Sequence, residues 1–454
     1  MLSLPPVYGR FPLEEVAFTA YYPADLSGNP SKGIYWLLRP LSDSLLGLST
    51  YIGISTWLLW PAVYLFGSLL KIPAYLNAPL LHPEKAEGTS EKRWPLVIFS
   101  HGLGGGRTTY SQYCSHLAAS GKVVLALEHR DGTGMACMPR SWEANWDDKA
   151  AWRSIVYLRE TDVYWDDGDE PKDYPKPLRG EQLAFRHHEI YIMYEAFKRF
   201  LREDSELELE VIDRSTFDKA SWRSLTSSGS SIIKHSEDVL FTAHSFGGAT
   251  ALSLLATKLG DNYAALPISK VIVLDPWLDP LPTPGPAPYA AGTSDSTLPP
   301  AAPSGPRLFV INSEVFTLWK DHYARLEEIM AVWEPQGRRI ATIIGSQHIS
   351  FSDFSLLPIF RKKYDLLIFD SIMRLSLAFL DDELDEVLKS EVPTTDMNIE
   401  IVGTKPDGKP KRKLAGNVGH RIKFSYDVPS ETGKPYCDNY AVRQLSLPVF
   451  ALFT

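Results

Sequence analysis

The chain has 454 residues, 44% of them hydrophobic and 22% charged, enough apolar material for one large domain with additions. A formal net charge of −9 argues against a nucleic-acid partner, which would ask for a basic surface. The three cysteines, Cys114, Cys137 and Cys437, are too few and too far apart for a zinc site or a disulfide framework, and they suit a reducing compartment.

Met1 to Ala20 carries Arg10, Glu14 and Glu15 and no continuous apolar core, so it does not read as a secretory signal. A cytoplasmic location is expected, with peripheral membrane attachment as an added feature. Ser44 to Leu70 contains no charged residue and is long enough to span a bilayer. Gly47, Gly53, Pro61 and Gly67 interrupt it, however, and it precedes the first strand of a core. The expectation is a helical hairpin or an interfacial helix, with Trp57, Trp60, Tyr64 and Phe66 as the side chains that meet a membrane surface. The competing reading is a core helix that covers the sheet.

Strands are predicted at 95–100, 122–127, 239–243, 270–274, 307–312 and 339–344, with helices between them, notably 181–202 and 366–384. That rhythm predicts an α/β fold with a doubly wound, mostly parallel sheet and helices on both faces. Residues 1–385 form the main domain. Residues 140–179, with four tryptophans and the acidic run Asp166–Glu170, read as a solvated insertion without calcium-loop spacing. Residues 280–306, rich in Pro, Ala, Gly and Ser, are expected to be extended, either as a lid over the site or as a surface connection. Residues 386–454 form a C-terminal extension packing on or flanking the core. Its Lys409–Lys413 run reads as a solvated loop or as a contact for anionic headgroups.

The chemistry is concentrated at the ends of the predicted strands. Val239 to Gly248 runs an apolar stretch into Ala243-His-Ser-Phe-Gly247, the tight strand-to-helix turn by which an α/β-hydrolase presents a nucleophile; this points to Ser245. The acid and the histidine should follow in that chain order. Asp275 ends the strand Lys270–Leu274, and His348 follows Arg339–Ile344 after a short turn; Asp279, between prolines, is the second-ranked acid. Upstream, Ser100-His-Gly-Leu-Gly-Gly-Gly106 follows a strand and supplies one oxyanion donor, the Leu103 N–H, with the Phe246 N–H as the other. No Gly-Lys-Ser/Thr follows the glycine run, so it is not read as a phosphate loop. No metal or organic cofactor is needed. Cys114 reads as a buried structural thiol.

Phe99–Tyr110, Glu128-His-Arg-Asp131, the Ala243–Gly248 elbow, Leu274-Asp-Pro-Trp277, Phe309–Glu314 and Gly345–Phe354 together resemble the platelet-activating-factor acetylhydrolase family, over roughly residues 8 to 385. The resemblance implies a calcium-independent serine esterase acting on the sn-2 ester of phospholipids with a short or oxidised acyl chain. It matches Ser245, Asp275 and His348 to the family's triad, Leu103 and Phe246 to its oxyanion donors, and the region ahead of Ile72–Pro79 to a lipid-touching surface helix. Two positions depart from the pattern, Ala243 for the elbow's first glycine and Pro276 after the aspartate. The alternatives are a general carboxylesterase or polyester hydrolase, and a catalytically silent lipid-binding scaffold.

Overall fold

A computed structural model describes residues 15–28, 30, 32–86, 92–137, 154–163, 177–212, 215–257, 263–288, 305–333, 340–390, 392–422 and 450–453. The six expected strands form at Trp94–Ser100, Val123–Glu128, Val239–His244, Ile268–Leu274, Arg307–Ser313 and Ile340–Ile343. All six run parallel in one sheet, in the spatial order Ile340, Arg307, Ile268, Val239, Trp94, Val123 by first residue. Ala17–Pro23 extends the sheet antiparallel beyond Val123–Glu128. The chain winds to either side of Trp94–Ser100, so the crevice at the carboxyl ends of this strand and of Val239–His244 is the topological switch point at which such sheets place a site.

These strands read as continuous apolar runs because both of their faces are covered. Along Arg307–Ser313, Leu308 and Val310 face one core cluster while Phe309 and Ile311 face the other; Val271 and Val273 alternate with Ile272 and Leu274 in the same way. The helices Pro177–Leu201, Phe246–Ala256 and Lys320–Trp333 cover the first face, and Ser111–Ala119 and Asp365–Leu380 the second. Each fully buried Val, Leu, Ile or Phe contributes about 1.5–3 kcal/mol, so two such layers hold the strand ends firmly. This is the α/β-hydrolase architecture.

Residues after 386 do more than flank this core. Thr394–Thr395 and Arg421–Ile422 join the sheet beyond Ile340–Ile343, and Phe450–Phe453 pairs with Ala17–Pro23 and with Lys71–Leu76. Strands of two to four residues carry too little periodicity to be seen in a sequence. Between them, Ile399–Thr404 and Pro410–Leu414 form a separate antiparallel hairpin where a loop was one reading of Lys409–Lys413. Most of the insertion at 140–179, including its four tryptophans and the acidic run, lies outside the described residues, as do 289–304 of the Pro-rich segment and residues 1–14. The described start of the latter is pinned along helix Lys320–Trp333: the Arg325 guanidinium donates to the Leu281 and Pro282 carbonyls, and the Trp333 indole to that of Pro286.

The uncharged stretch is helical in two parts. Leu41–Ile52 is one helix, Gly53 turns the chain in the left-handed region, and Thr56–Pro61 leads into further helical turns to Leu69. No helix of the described residues is long and apolar enough to cross a membrane. The first helix buries Leu41 and Leu45, so there the core-helix reading holds. The second half does not follow it: Trp57 is 72% exposed, Leu69 74%, Phe66 61% and Trp60 48%. Tyr64 differs from its three companions, being half-buried against the core with its ring stacked under Trp60 at 5.2 Å.

Candidate active site

Ser245 stands between Val239–His244 and the helix Phe246–Ala256, with φ 57° and ψ −117°. A non-glycine residue holds such a conformation only where its surroundings impose it. Here the strand ladder fixes one side and the packed helix the other. Gly247 makes the approach feasible, since a Cβ there would fall 2.2 Å from the Ser100 carbonyl oxygen. Gly102 does the same for the facing loop, where a Cβ would meet that of Ser245 at 2.7 Å.

The two downstream residues converge on the serine. His348 Nε2 lies 2.8 Å from Ser245 Oγ, and His348 Nδ1 lies 2.7 Å from Asp275 Oδ2. With the Nδ1 proton directed at the carboxylate, Nε2 is left to accept from the serine hydroxyl. Asp275 is fully buried, and its Oδ1 accepts from the Ser313 N–H at 2.6 Å. Turned so that its amide nitrogen faces the carboxylate, Asn312 donates to the same oxygen at 3.0 Å. Asp275, not Asp279, is therefore the acid that meets the histidine. Pro276 lies against Gly248, where a Cβ would come within 3.0 Å of its ring, so the departure from the usual pattern packs behind the elbow helix.

Leu103 and Phe246 lie where expected, on the loop after Ser100 and at the first turn of the elbow helix. First-turn N–H groups have no acceptor within their own helix. Among the described residues, neither the Leu103 nor the Phe246 N–H has a protein acceptor, whereas Gly102, Gly104 and Gly105 N–H all do. Two unspent donors thus border the serine.

Several supporting residues carried no recognisable signal in the sequence. His244 is buried directly before Ser245; its Nε2–H donates to the His348 carbonyl at 3.1 Å and its Nδ1 accepts from the Tyr110 hydroxyl at 2.8 Å. The Tyr110 oxygen in turn accepts the Gly102 N–H at 3.2 Å, so one chain of hydrogen bonds joins the glycine loop to the histidine loop. Burial, with the neighbouring His348 adding to it, holds His244 well below the ordinary histidine range and keeps it neutral. The ring of Phe316 stacks on that of His348 at 4.6 Å with 11° between planes, and His244 lies across from it at 4.6 Å. His101 is held down at about 3, by burial first and then by Arg186, so its Nε2 stays free to accept the His129 N–H.

Beneath the loop lies a paired polar layer. Arg186 is fully buried against Asp131 at 2.7 Å and donates to the His101 carbonyl at 2.8 Å. His129 meets Glu189 at 2.6 Å. Arg107 and Arg130 belong to this layer, paired with Glu128 and with Glu15. Cys114 is buried, and burial raises its thiol pKa well above the usual range. Just past His348, a second apolar patch is exposed, with Ile359 at 64% and Phe360 at 57%.

The family described as "Platelet-activating factor acetylhydrolase, isoform II" matches residues 9–405. The chain is similar to "Platelet-activating factor acetylhydrolase" of Canis lupus familiaris, 28% identical over 408 residues, 84% of this chain and 77% of the relative. It is likewise similar to the proteins of the same name from Bos taurus, at 28% over 407 residues with 83% and 77% covered, and from Gallus gallus, at 28% over 354 residues with 75% and 71% covered. Among solved structures, it is similar to a ferulic acid esterase from Streptomyces cinnamoneus, with 14% identity, 81% and 82% covered and a TM-score of 0.46.

Proposed function

Since the chain belongs to the platelet-activating-factor acetylhydrolase isoform II family, we propose that it hydrolyses the sn-2 ester of phospholipids with a short or oxidised acyl group, such as 1-alkyl-2-acetylglycerophosphocholine, through an acyl-enzyme on Ser245. The observation that carries this reading is the unbroken line Ser245 Oγ, His348 Nε2, His348 Nδ1, Asp275 Oδ2, with contacts of 2.8 and 2.7 Å, beside two unspent backbone donors.

In the first half-reaction Ser245 Oγ attacks the ester carbonyl carbon while His348 Nε2 takes the hydroxyl proton. The carbonyl oxygen gains negative charge and is met by the Leu103 and Phe246 N–H groups; one such donor is worth about 2.7–4 kcal/mol in the transition state. His348 then gives its proton to the leaving lysophospholipid oxygen. In the second half, a water loses its proton to His348 as it attacks the acyl carbon, and the proton returns to Ser245. Asp275 holds the imidazole tautomer and stabilises its charge throughout. Nothing in this sequence of steps calls for calcium.

Access to substrate is assigned to the exposed apolar segment. Trp57, Leu58, Trp60, Leu65, Phe66 and Leu69 are all at least 48% exposed on the second half of the helical stretch, an arrangement suited to the headgroup boundary of a lipid aggregate. The experiment that tests the function measures acetate release from a 2-acetyl phospholipid and fatty-acid release from its long-chain counterpart, with chelator present, for the native chain and Ser245→Ala. Acetate release that depends on Ser245, with little long-chain cleavage, is the expected result. Labelling of Ser245 by a fluorophosphonate without phospholipid turnover would instead make the protein a general carboxylesterase.

A further inference from the structure

The hairpin Ile399–Thr404 and Pro410–Leu414 is not used by the chemistry above. Every residue of both strands is exposed except Leu414. A two-stranded ribbon with neither face packed is marginal by itself. Its base, however, is built into the body: the Leu414 N–H donates to Glu314 Oε1 at 2.8 Å, and Glu314 Oε2 accepts the Gly345 N–H at 2.6 Å. Leu414 also packs with Ile344 and Ile422 in a small core of its own. Glu314 follows the strand Arg307–Ser313, and Gly345 opens the loop to His348. The ribbon therefore leaves the body at the carboxyl ends of the strands, the end that carries the site.

Its surface chemistry is two-fold. Residues 397–414 hold five cations, Lys405, Lys409, Lys411, Arg412 and Lys413, against two carboxylates, in a chain whose net charge is −9. Lys409 is paired with Asp407, and Lys413 stands opposite Glu400 in the ladder. Among the described residues, Lys405, Lys411 and Arg412 have no ion pair. Beside these cations, Ile401 is 70% exposed, Val402 50%, Ile399 46% and Met397 43%. Ile401 pairs with Arg412, so an apolar chain and a guanidinium share one face. A purely polyanionic partner gives no reason to expose four apolar side chains among the cations. An anionic bilayer meets both, since the cations are drawn to its headgroups and the apolar chains to the boundary below them.

We infer that this hairpin is a docking element for an anionic phospholipid surface, separate from the uncharged Trp57–Leu69 segment. The uncharged segment has no means of sensing surface charge, and the hairpin does. Binding is read on the Ser245→Ala chain, so the outcome does not depend on which ester is hydrolysed.

The test measures flotation of that full-length chain with vesicles of pure phosphatidylcholine and with vesicles containing about a third phosphatidylserine. It compares the native hairpin with the triple substitution Lys411→Ser, Arg412→Ser, Lys413→Ser. Each surface cation is worth roughly fivefold in affinity, so the triple variant should bind phosphatidylserine vesicles about 100-fold more weakly and phosphatidylcholine vesicles unchanged. With Ser245 restored, the triple variant should turn over a soluble ester at the native rate, which shows that the fold is intact. Without any variant, binding to anionic vesicles by the native hairpin should fall steeply as salt rises toward 0.5 M. Equal affinity of the native chain for both vesicle types overturns the inference. So does retention of full anionic binding by the triple variant, and so does binding to duplex DNA in place of anionic vesicles.

Discussion

Ser245, Asp275 and His348 sit where neighbouring polar groups are spent on one another, from the Ser313 N–H on Asp275 to the Tyr110 hydroxyl between Gly102 and His244. Thr56 to Leu69 has the opposite character, with no charge and no buried residue in the helix Thr56–Pro61. Tyr51 joins the two, its ring lying where a Cβ on Gly104 would be. Under the proposed function the contrast separates two tasks. Cleaving an ester needs atoms held to a few tenths of an ångström, which burial on a sheet provides; meeting a lipid surface needs apolar area that the protein itself leaves uncovered.

On this division, changes in the buried region should lower turnover of every ester alike. The largest loss is expected from Ser245→Ala, about 10⁴-fold or more in kcat on a soluble ester and on vesicles equally. Asp275→Asn should follow at about 10⁴-fold, because an amide in place of the carboxylate favours the wrong histidine tautomer. Stopped assays with p-nitrophenyl acetate and with a 2-acetyl phospholipid check both. Unequal losses between the two substrates would break the comparison at its first point.

The complementary change is Trp57→Ser, Leu58→Ser, Phe66→Ser. Each side chain kept out of lipid forfeits about 1 kcal/mol of partial burial, so turnover on vesicles should fall about 100-fold through weaker attachment. Soluble-ester kcat/KM should stay at the native value, and removing exposed apolar groups should not lower the melting temperature. A matching drop on the soluble ester would mean that the segment shapes the site rather than the approach to it.

The strands were legible because both of their faces are buried, which leaves long β-branched runs such as Val271-Ile-Val-Leu274. Ser245, Asp275 and His348 were legible as candidates because each follows a strand and the expected chain order is fixed. His244 was hidden by its place beside Ser245, and its partners Tyr110 and His348 come together only in the fold. Arg186 carried no signal of its own, since its partner Asp131 is 55 residues away in the chain and the two meet only in the fold. Tyr64 was grouped with the exposed aromatics by residue type, and only the fold shows it half-buried against the core while Trp57, Trp60 and Phe66 stay exposed.

The buried region should also carry a pH signature that the exposed one lacks. His101, His129 and His244 are all held below the ordinary histidine value, by burial first in each case. The unfolded chain therefore binds more protons than the folded one below about pH 6.5, and stability is full above that pH and lost as pH falls toward the folded values. With His101 at about 3, it alone removes about 2 kcal/mol at pH 5, roughly a 30-fold change in the folding equilibrium. Asp353 and Glu189, both raised by burial first, act in the opposite sense and offset part of this. Urea midpoints at pH 7 and pH 5 measure the net effect, and a midpoint that does not fall would mean that these imidazoles are charged in the fold.

The smallest effect is the most discriminating. Tyr110→Phe keeps the ring, which packs against Phe99 at 4.9 Å, and deletes only the oxygen that accepts from Gly102 and donates to His244. A lost buried hydrogen bond costs about 1–1.5 kcal/mol, and here the cost falls on the two loops that carry Leu103 and His348. Turnover should drop about 10-fold, in kcat and not in KM, and by the same factor on the soluble ester and on vesicles. A purely structural role would lower the melting temperature and leave kcat of the folded fraction alone. A drop confined to vesicles would place Tyr110 with the exposed apolar segment through its neighbour Tyr51. Only an equal fall on both substrates assigns the Gly102–Tyr110–His244–His348 line to the geometry of the reaction itself.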